Sequence, residues 1–218
     1  MKTLQTKLVK TMLVMMAIAF ALTCLPQKSW AQDQPAVFAV VDYMKVKPGL
    51  ESKYLDLEEN VWKPMHQERL NQGKILGWIL FRVLYTGTAD PYNYVTVTVF
   101  DNPANLENPW DGIDAAKILA GKDPDKLMDE TLKSRDLVKS NLIMREDEVY
   151  PAGGPSDYKY LQVDFMKVKP GNEGAYLDVE KTIWKPVHNE FIKAGSRVGW
   201  SIWSMTFPSG AGLDYQFS

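Results

Sequence analysis

The side chains with the widest chemical reach in this chain are its two histidines, His66 and His188. Each ends a Trp-Lys-Pro-x-His run, and each tops a column of residues spaced by four: Tyr54, Glu58, Trp62, His66 and Tyr176, Glu180, Trp184, His188. On a helix that spacing stacks side chains along one flank. Imidazole is the side chain most easily set to give or take a proton near neutral pH, and it is the ordinary nitrogen ligand for haem or zinc. His66 and His188 are therefore the candidate catalytic residues. Glu58 precedes His66 by two turns, about 12 Å, too far for a direct hydrogen bond but close enough to share a cleft. Trp62 between them offers a flat wall to an organic ring. Tyr54, Glu58, Trp62 and their copies Tyr176, Glu180 and Trp184 are the candidate ligand-binding residues.

Packing is the competing role for the same residues. A tryptophan can fill the gap between helix and sheet, and a histidine can cap the carbonyls that Pro64 or Pro186 frees. Trp78 and Trp200, each following a glycine at a strand start, read as core. Asp42 and Asp164 fall inside a buried strand and need a partner or a function there. Lys63 can pair with Glu59 one turn back, whereas Lys181 removes that pairing from the second copy. The chain has no nucleophile elbow, phosphate loop, dinucleotide fingerprint or HExxH motif. A two-histidine metal site would require two outer helices to converge, so no metal site is assigned.

The elements that must position these columns occur twice. VDYMKVKPGLESKYLDLEENVWKPMHQERL, from Val41, returns from Val163 as VDFMKVKPGNEGAYLDVEKTIWKPVHNEFI. Over Val41 to Tyr85, at an offset of about 122 residues, roughly 21 of 45 positions are identical, which marks a tandem repeat. Ala36 to Val46 reads as a buried strand ending at Lys47-Pro48-Gly49. A helix follows, with Leu50, Tyr54, Leu57, Val61 and Met65 as its core stripe, a kink at Pro64 and a stop at Gly73. Strands at Gly77–Tyr85 and Tyr92–Phe100 come next. A helical region begins near Asp111 and restarts at Asp123-Pro124, with Leu127, Met128, Leu132 and Leu137 as its apolar side. A last strand, Leu142–Val149, carries Arg145-Glu146-Asp147-Glu148, the mark of a solvated edge or strand end.

This order, strand-helix-strand-strand-helix-strand, is the ferredoxin-like α+β unit. Residues 37–150 form the first unit, 151–157 a linker, and 158–218 a second unit. Two tandem units predict one intrachain barrel, a pseudo-dimer within one chain. The second copy runs through its helix (Gly171–Ala194) and a strand (Val198–Phe207) and stops at Ser218, without counterparts of Val99 to Tyr150. The second unit therefore reads as truncated.

In element order and duplication the chain resembles the dimeric α/β-barrel superfamily, which includes antibiotic-biosynthesis-type monooxygenases, haem-degrading enzymes and stress-responsive barrel proteins. The resemblance covers Val37 to the C-terminus and transfers no site residue. Three functions are consistent with it: binding of a small molecule without turnover, cofactor-independent monooxygenase chemistry with a helix histidine as base, and haem binding through one histidine. No cofactor is favoured.

Composition narrows the setting. A net charge of -2 over 218 residues gives no basic field for nucleic acid. Lys2, Lys7 and Lys10, the apolar run Met12–Leu22 and Ser29-Trp30-Ala31 make residues 1–31 a signal peptide, too short in its apolar core to span a bilayer. Cleavage after Ala31 removes Cys24, the only cysteine, and predicts a periplasmic or secreted protein free of the membrane. Lipid attachment at Cys24 is the alternative, and the threonine before it fits that signal poorly.

Overall fold

The computed structural model describes residues 36–154, 158–210 and 212–218. Residues 1–31, read from sequence as a signal peptide, with Cys24 among them, and residues 155–157 of the expected linker lie outside the described residues.

β1 (Phe38–Val46) is the central strand. Its apolar, β-rich sequence buries both faces, as a central strand requires. Ala39, Val41 and Tyr43 join Ile143 on one face, with Val95, Val97, Trp203 and Met205 packed around them. A register shift between Tyr43 and Met44 turns Met44 and Val46 to the other face, against Tyr54, Tyr94 and Leu80. β2 (Gly77–Arg82), β3 (Tyr94–Phe100), β4 (Arg135–Val149) and β5 (Trp200–Phe207) complete an antiparallel sheet of order β2-β3-β1-β4-β5. The first four strands have the order of a ferredoxin-like α+β unit.

Between β1 and β2 runs one helical rod in three pieces: α1 (Glu51–Leu57), a π-helical turn (Glu58–Trp62) and α2 (Lys63–Asn71). Pro64 has no N–H, and in a regular α-helix its ring would clash with the carbonyl of Asn60. The wide turn opens the ladder immediately before it, with the Lys63 N–H reaching back five residues to the Glu58 carbonyl. The chain thus passes the proline without ending the helix. The same device recurs at α5 (Glu173–Val179), a π-turn (Glu180–Trp184) and α6 (Lys185–Lys193), where Lys185 N–H bonds the Glu180 carbonyl before Pro186.

Over the first rod lie α3 (Ala115–Ile118) and α4 (Pro124–Ser134), the latter capped by Asp123, whose carboxylate accepts from the N–H groups of Asp125 and Lys126. Leu119, Ile113 and Leu127 close over Leu57, Val61 and Met65.

Three expectations meet the structure here, and the first and third are corrected. Leu137 is not on a helix: β4 begins at Arg135, and Met128, Leu132 and Leu137 are exposed, while Thr131 and Ser134 are the buried positions of α4. Their hydroxyls bond the Leu127 and Thr131 carbonyls, so small polar residues allow close packing without orphaned groups. Second, Arg145 to Glu148 is the strand end that its charges suggested: it is half-buried, lies beyond the β1 ladder and pairs on one side only. The first part of β4 pairs with β1 and its last part with β5, with Arg145 opposite Trp203 and Glu148 opposite Ser201. Third, the stretch Val163–Val168, which repeats β1 in sequence, forms no ladder; it makes an isolated bridge from Met166 to Phe217. The contacts around that bridge nonetheless repeat those of the first half. The Asn93 and Gln216 N–H groups bond the Met44 and Met166 carbonyls, both at 3.0 Å, and the Tyr54–Tyr94 and Tyr176–Phe217 ring pairs both sit at 5.1 Å.

Candidate functional site

A groove of about 560 Å³ runs between the first helical rod and β2, lined among others by Glu58, Lys63, His66, Gln67, Trp78 and Leu80. That size suits a small organic ligand. The rod places Glu58 and His66 on the groove because the π-turn inserts its extra residue between them, while the strand start at Gly77 sets Trp78 opposite.

His66 is the best-defined member. Its ring stacks on Trp78 at 4.8 Å and 12°, and Trp110 approaches it at 5.1 Å. Arg69, one turn on, donates from its guanidinium to His66 Nδ1 at 3.0 Å. A guanidinium only donates, so Nδ1 must be unprotonated and the neutral ring carries its proton on Nε2. Burial, and next the Arg69 charge, push the imidazole down to about 3. At neutral pH His66 is thus an uncharged N–H donor. Arg69 is itself buried, its guanidinium lying over Trp110 at 4.8 Å and its Nε without a described partner.

Glu58 sits at the other end of the groove wall, buried, with the Tyr54 hydroxyl facing its carboxyl. Burial pushes its pKa up to about 7, against the opposing pull of that hydroxyl and of the Arg135 charge. It can hold or release a proton near neutrality.

The remaining residues divide. Tyr54 is fully enclosed, its hydroxyl 3.3 Å from Met44 Sδ, and does not reach the groove. Trp62 turns away from it: the indole N–H donates to Thr131 Oγ1 at 3.0 Å and the ring meets Trp110 at 6.2 Å. Trp62 is thus held by α4, and the aromatic wall of the groove is Trp78, read from sequence as core. The signal that could have revealed it is the repeat itself, since Trp78 and Trp200 keep a fixed spacing of twelve from each histidine. Asp42 is half-buried on β1 opposite Ser140, its pKa raised by burial and held back by a hydrogen bond from Ser140 and by the Arg135 charge. Lys63 pairs with Glu59 at 2.7 Å.

In the second half His188 stacks on Trp200 at 5.1 Å and 19°, and its Nδ1 accepts from Arg197 at 2.8 Å. Burial first, then Arg197, lower its pKa, with Glu180 opposing. Tyr176 packs on Phe217, and Trp184 is about half exposed.

A histidine-ligated haem does not fit either ring. A metal-bound imidazole normally donates its second N–H to an acceptor. Here the second nitrogen receives a guanidinium, so binding iron through Nε2 would leave the ring with no proton.

No family model and no curated protein matches the chain. Among solved structures it is similar to a dimeric protein of unknown function with a ferredoxin-like fold from Bacteroides fragilis NCTC 9343, at 13% identity and TM-score 0.31, over 51% of this chain and 95% of that one. A dimeric ferredoxin-like protein of unknown function from Thermobifida fusca YX matches at 12% and 0.31, over 51% and 91%. A chlorite dismutase-like protein matches at 13% and 0.39, over 84% and 76%. Similarities this partial carry no argument about ligand or reaction.

Proposed function

We propose that the chain is an exported protein that binds a small, flat organic molecule, built as two tandem ferredoxin-like units in one barrel-like body, with a ligand cleft between each proline-bearing helix and its sheet. The observation that carries this reading is the groove beside the His66 and Trp78 rings, where an uncharged N–H donor meets an apolar wall in a volume of ligand size. Export rests on the sequence of residues 1–31. Native mass spectrometry of protein from its source compartment, followed by fluorescence titration with the molecule it releases, tests the reading. Retained ligand and at least a tenfold loss of affinity in Trp78→Ala are expected. Binding that survives the change unaltered would overturn the groove as its seat.

A second reading, a cofactor-independent enzyme of the monooxygenase type, is favoured by one observation, the raised pKa of Glu58. It moves the base from the histidines, whose available nitrogen carries a proton, to Glu58. Turnover should then rise as pH climbs through about 7 and vanish in Glu58→Gln.

A further inference from the structure

We propose that Arg69 and Arg197 are positioning residues that hold His66 and His188 as Nε2–H donors, and that the groove at His66 recognises a ligand through a hydrogen-bond acceptor, a carbonyl or carboxylate oxygen on a flat ring. The ligand clause rests on the small-molecule reading above; the positioning role does not.

The two halves supply the argument. Each imidazole has a guanidinium on Nδ1, at 3.0 Å and 2.8 Å, and a tryptophan stacked on its face. Each guanidinium also lies beside an aromatic ring, Arg69 at 4.8 Å from Trp110 and Arg197 at 5.5 Å from Phe191. The tryptophans are repeat counterparts, but the arginines are not. Arg69 matches Phe191 in the repeat, and Arg197 matches Ile75. One half takes its guanidinium from the helix and its aromatic from a loop. The other half takes its aromatic from that same helix position and its guanidinium from the turn before β5. Packing inherited from a common unit keeps residues in their places. Here the guanidinium and its aromatic come from different positions in the two halves, and the imidazole-guanidinium-aromatic trio remains.

The chemistry of the trio is directional. A guanidinium accepts nothing, so it bonds only the tautomer whose Nδ1 is bare, and a charge-assisted bond favours that tautomer by at least about tenfold. Protonating the ring would break the bond and set two cations side by side. The nitrogen left without the guanidinium, on a ring that lines the groove, is a donor that cannot act as a base. Its complement is an acceptor oxygen, and Trp78 gives that ligand a flat apolar neighbour.

The test uses the whole chain labelled with ¹⁵N-histidine, whose two imidazoles give two resolvable spin systems. Both rings should show the Nε2–H tautomer at ten to one or more. Arg69→Met should relax the ratio for His66 alone, and Arg197→Met for His188 alone. Arg197 lies on an exposed turn, so its variant keeps the test open should Arg69→Met fail to fold. Nδ1–H tautomers in the unaltered protein, or ratios unmoved in both variants, overturn the positioning role. Titration with 2-naphthoate and with 2-naphthylmethylammonium then separates the ligand clause. Naphthoate should shift the His66 Nε2 signal and bind at least tenfold more tightly; equal or reversed affinities overturn the acceptor. Failure of both probes alongside the expected tautomers removes the acceptor clause with the small-molecule reading and leaves the positioning role standing.

Discussion

The two proline-bearing helices are close copies in sequence and differ in what lies over them. Above the first, α3, α4 and Trp110 close on Leu57, Val61, Trp62 and Met65, so Val61 is 3% exposed. Above the second, among the described residues, the counterparts Val179, Ile183, Trp184 and Val187 face outward, and Ile183 is 55% exposed. The backbone hardly registers this, since both rods wind the same π-turn before the same proline. The electrostatics register it too: His66 is sealed and driven down to about 3 by burial and then by Arg69, while His188, partly open, is lowered by burial and then by Arg197, with the Glu180 charge opposing. Local sequence therefore builds the helix and its column, and the cover decides what the column's ionisable groups do.

That contrast can be broken by truncating the same tyrosine in each half. Tyr54→Ala empties a fully enclosed site and should cost about 3–5 kcal/mol of stability in a denaturant titration, while Tyr176→Ala, only half-buried, should cost well under half of that. Equal losses would mean that burial does not distinguish the two halves.

The next largest effect is electrostatic. Glu58 is raised from 4.5 to about 7, so it adds stability that is fully present below about 4.5 and lost as pH rises through about 7. Glu58→Gln stays neutral and should gain about 3 kcal/mol over the parent at pH 8, with no difference at pH 4. His66 has the opposite sign: lowered from 6.5 to about 3, it adds stability present above 6.5 and lost as pH falls through about 3. Thermal melts across pH should show the acid limb shallower in His66→Gln.

Smaller still is the indole bond. Trp62→Phe removes the donor to Thr131 and should cost about 1–2 kcal/mol, against a few tenths for Trp184→Phe, whose ring is about half exposed. Last comes Lys63→Ala, which breaks an exposed i,i+4 pair with Glu59 and should move stability by less than about 0.5 kcal/mol.

Much of the fold was legible because its signals are local. Pro48-Gly49 and Asp123-Pro124 mark element ends with fixed chemistry, and the stripe Leu57, Val61, Met65 carries the helical period. The α4–β4 boundary was not legible, because Leu132 and Leu137 continue an apolar spacing that the structure leaves exposed, while Thr131 and Ser134 bury by bonding carbonyls one turn back. Of the site, the sequence places Glu58 and His66 on one flank. It also puts Trp62 there, which the structure assigns to α4, and it passes over Trp78 and Arg69.

The sequence alone determines the duplication, the helix that carries each histidine, and the proline that its ladder must accommodate, since each of these is a matter of spacing and backbone valence. Only the tertiary structure decides which tryptophan meets the imidazole, which nitrogen a guanidinium occupies and which carboxyl is sealed from water. Those depend on distances between elements far apart in the chain, and a side chain's protonation follows from who its neighbours are.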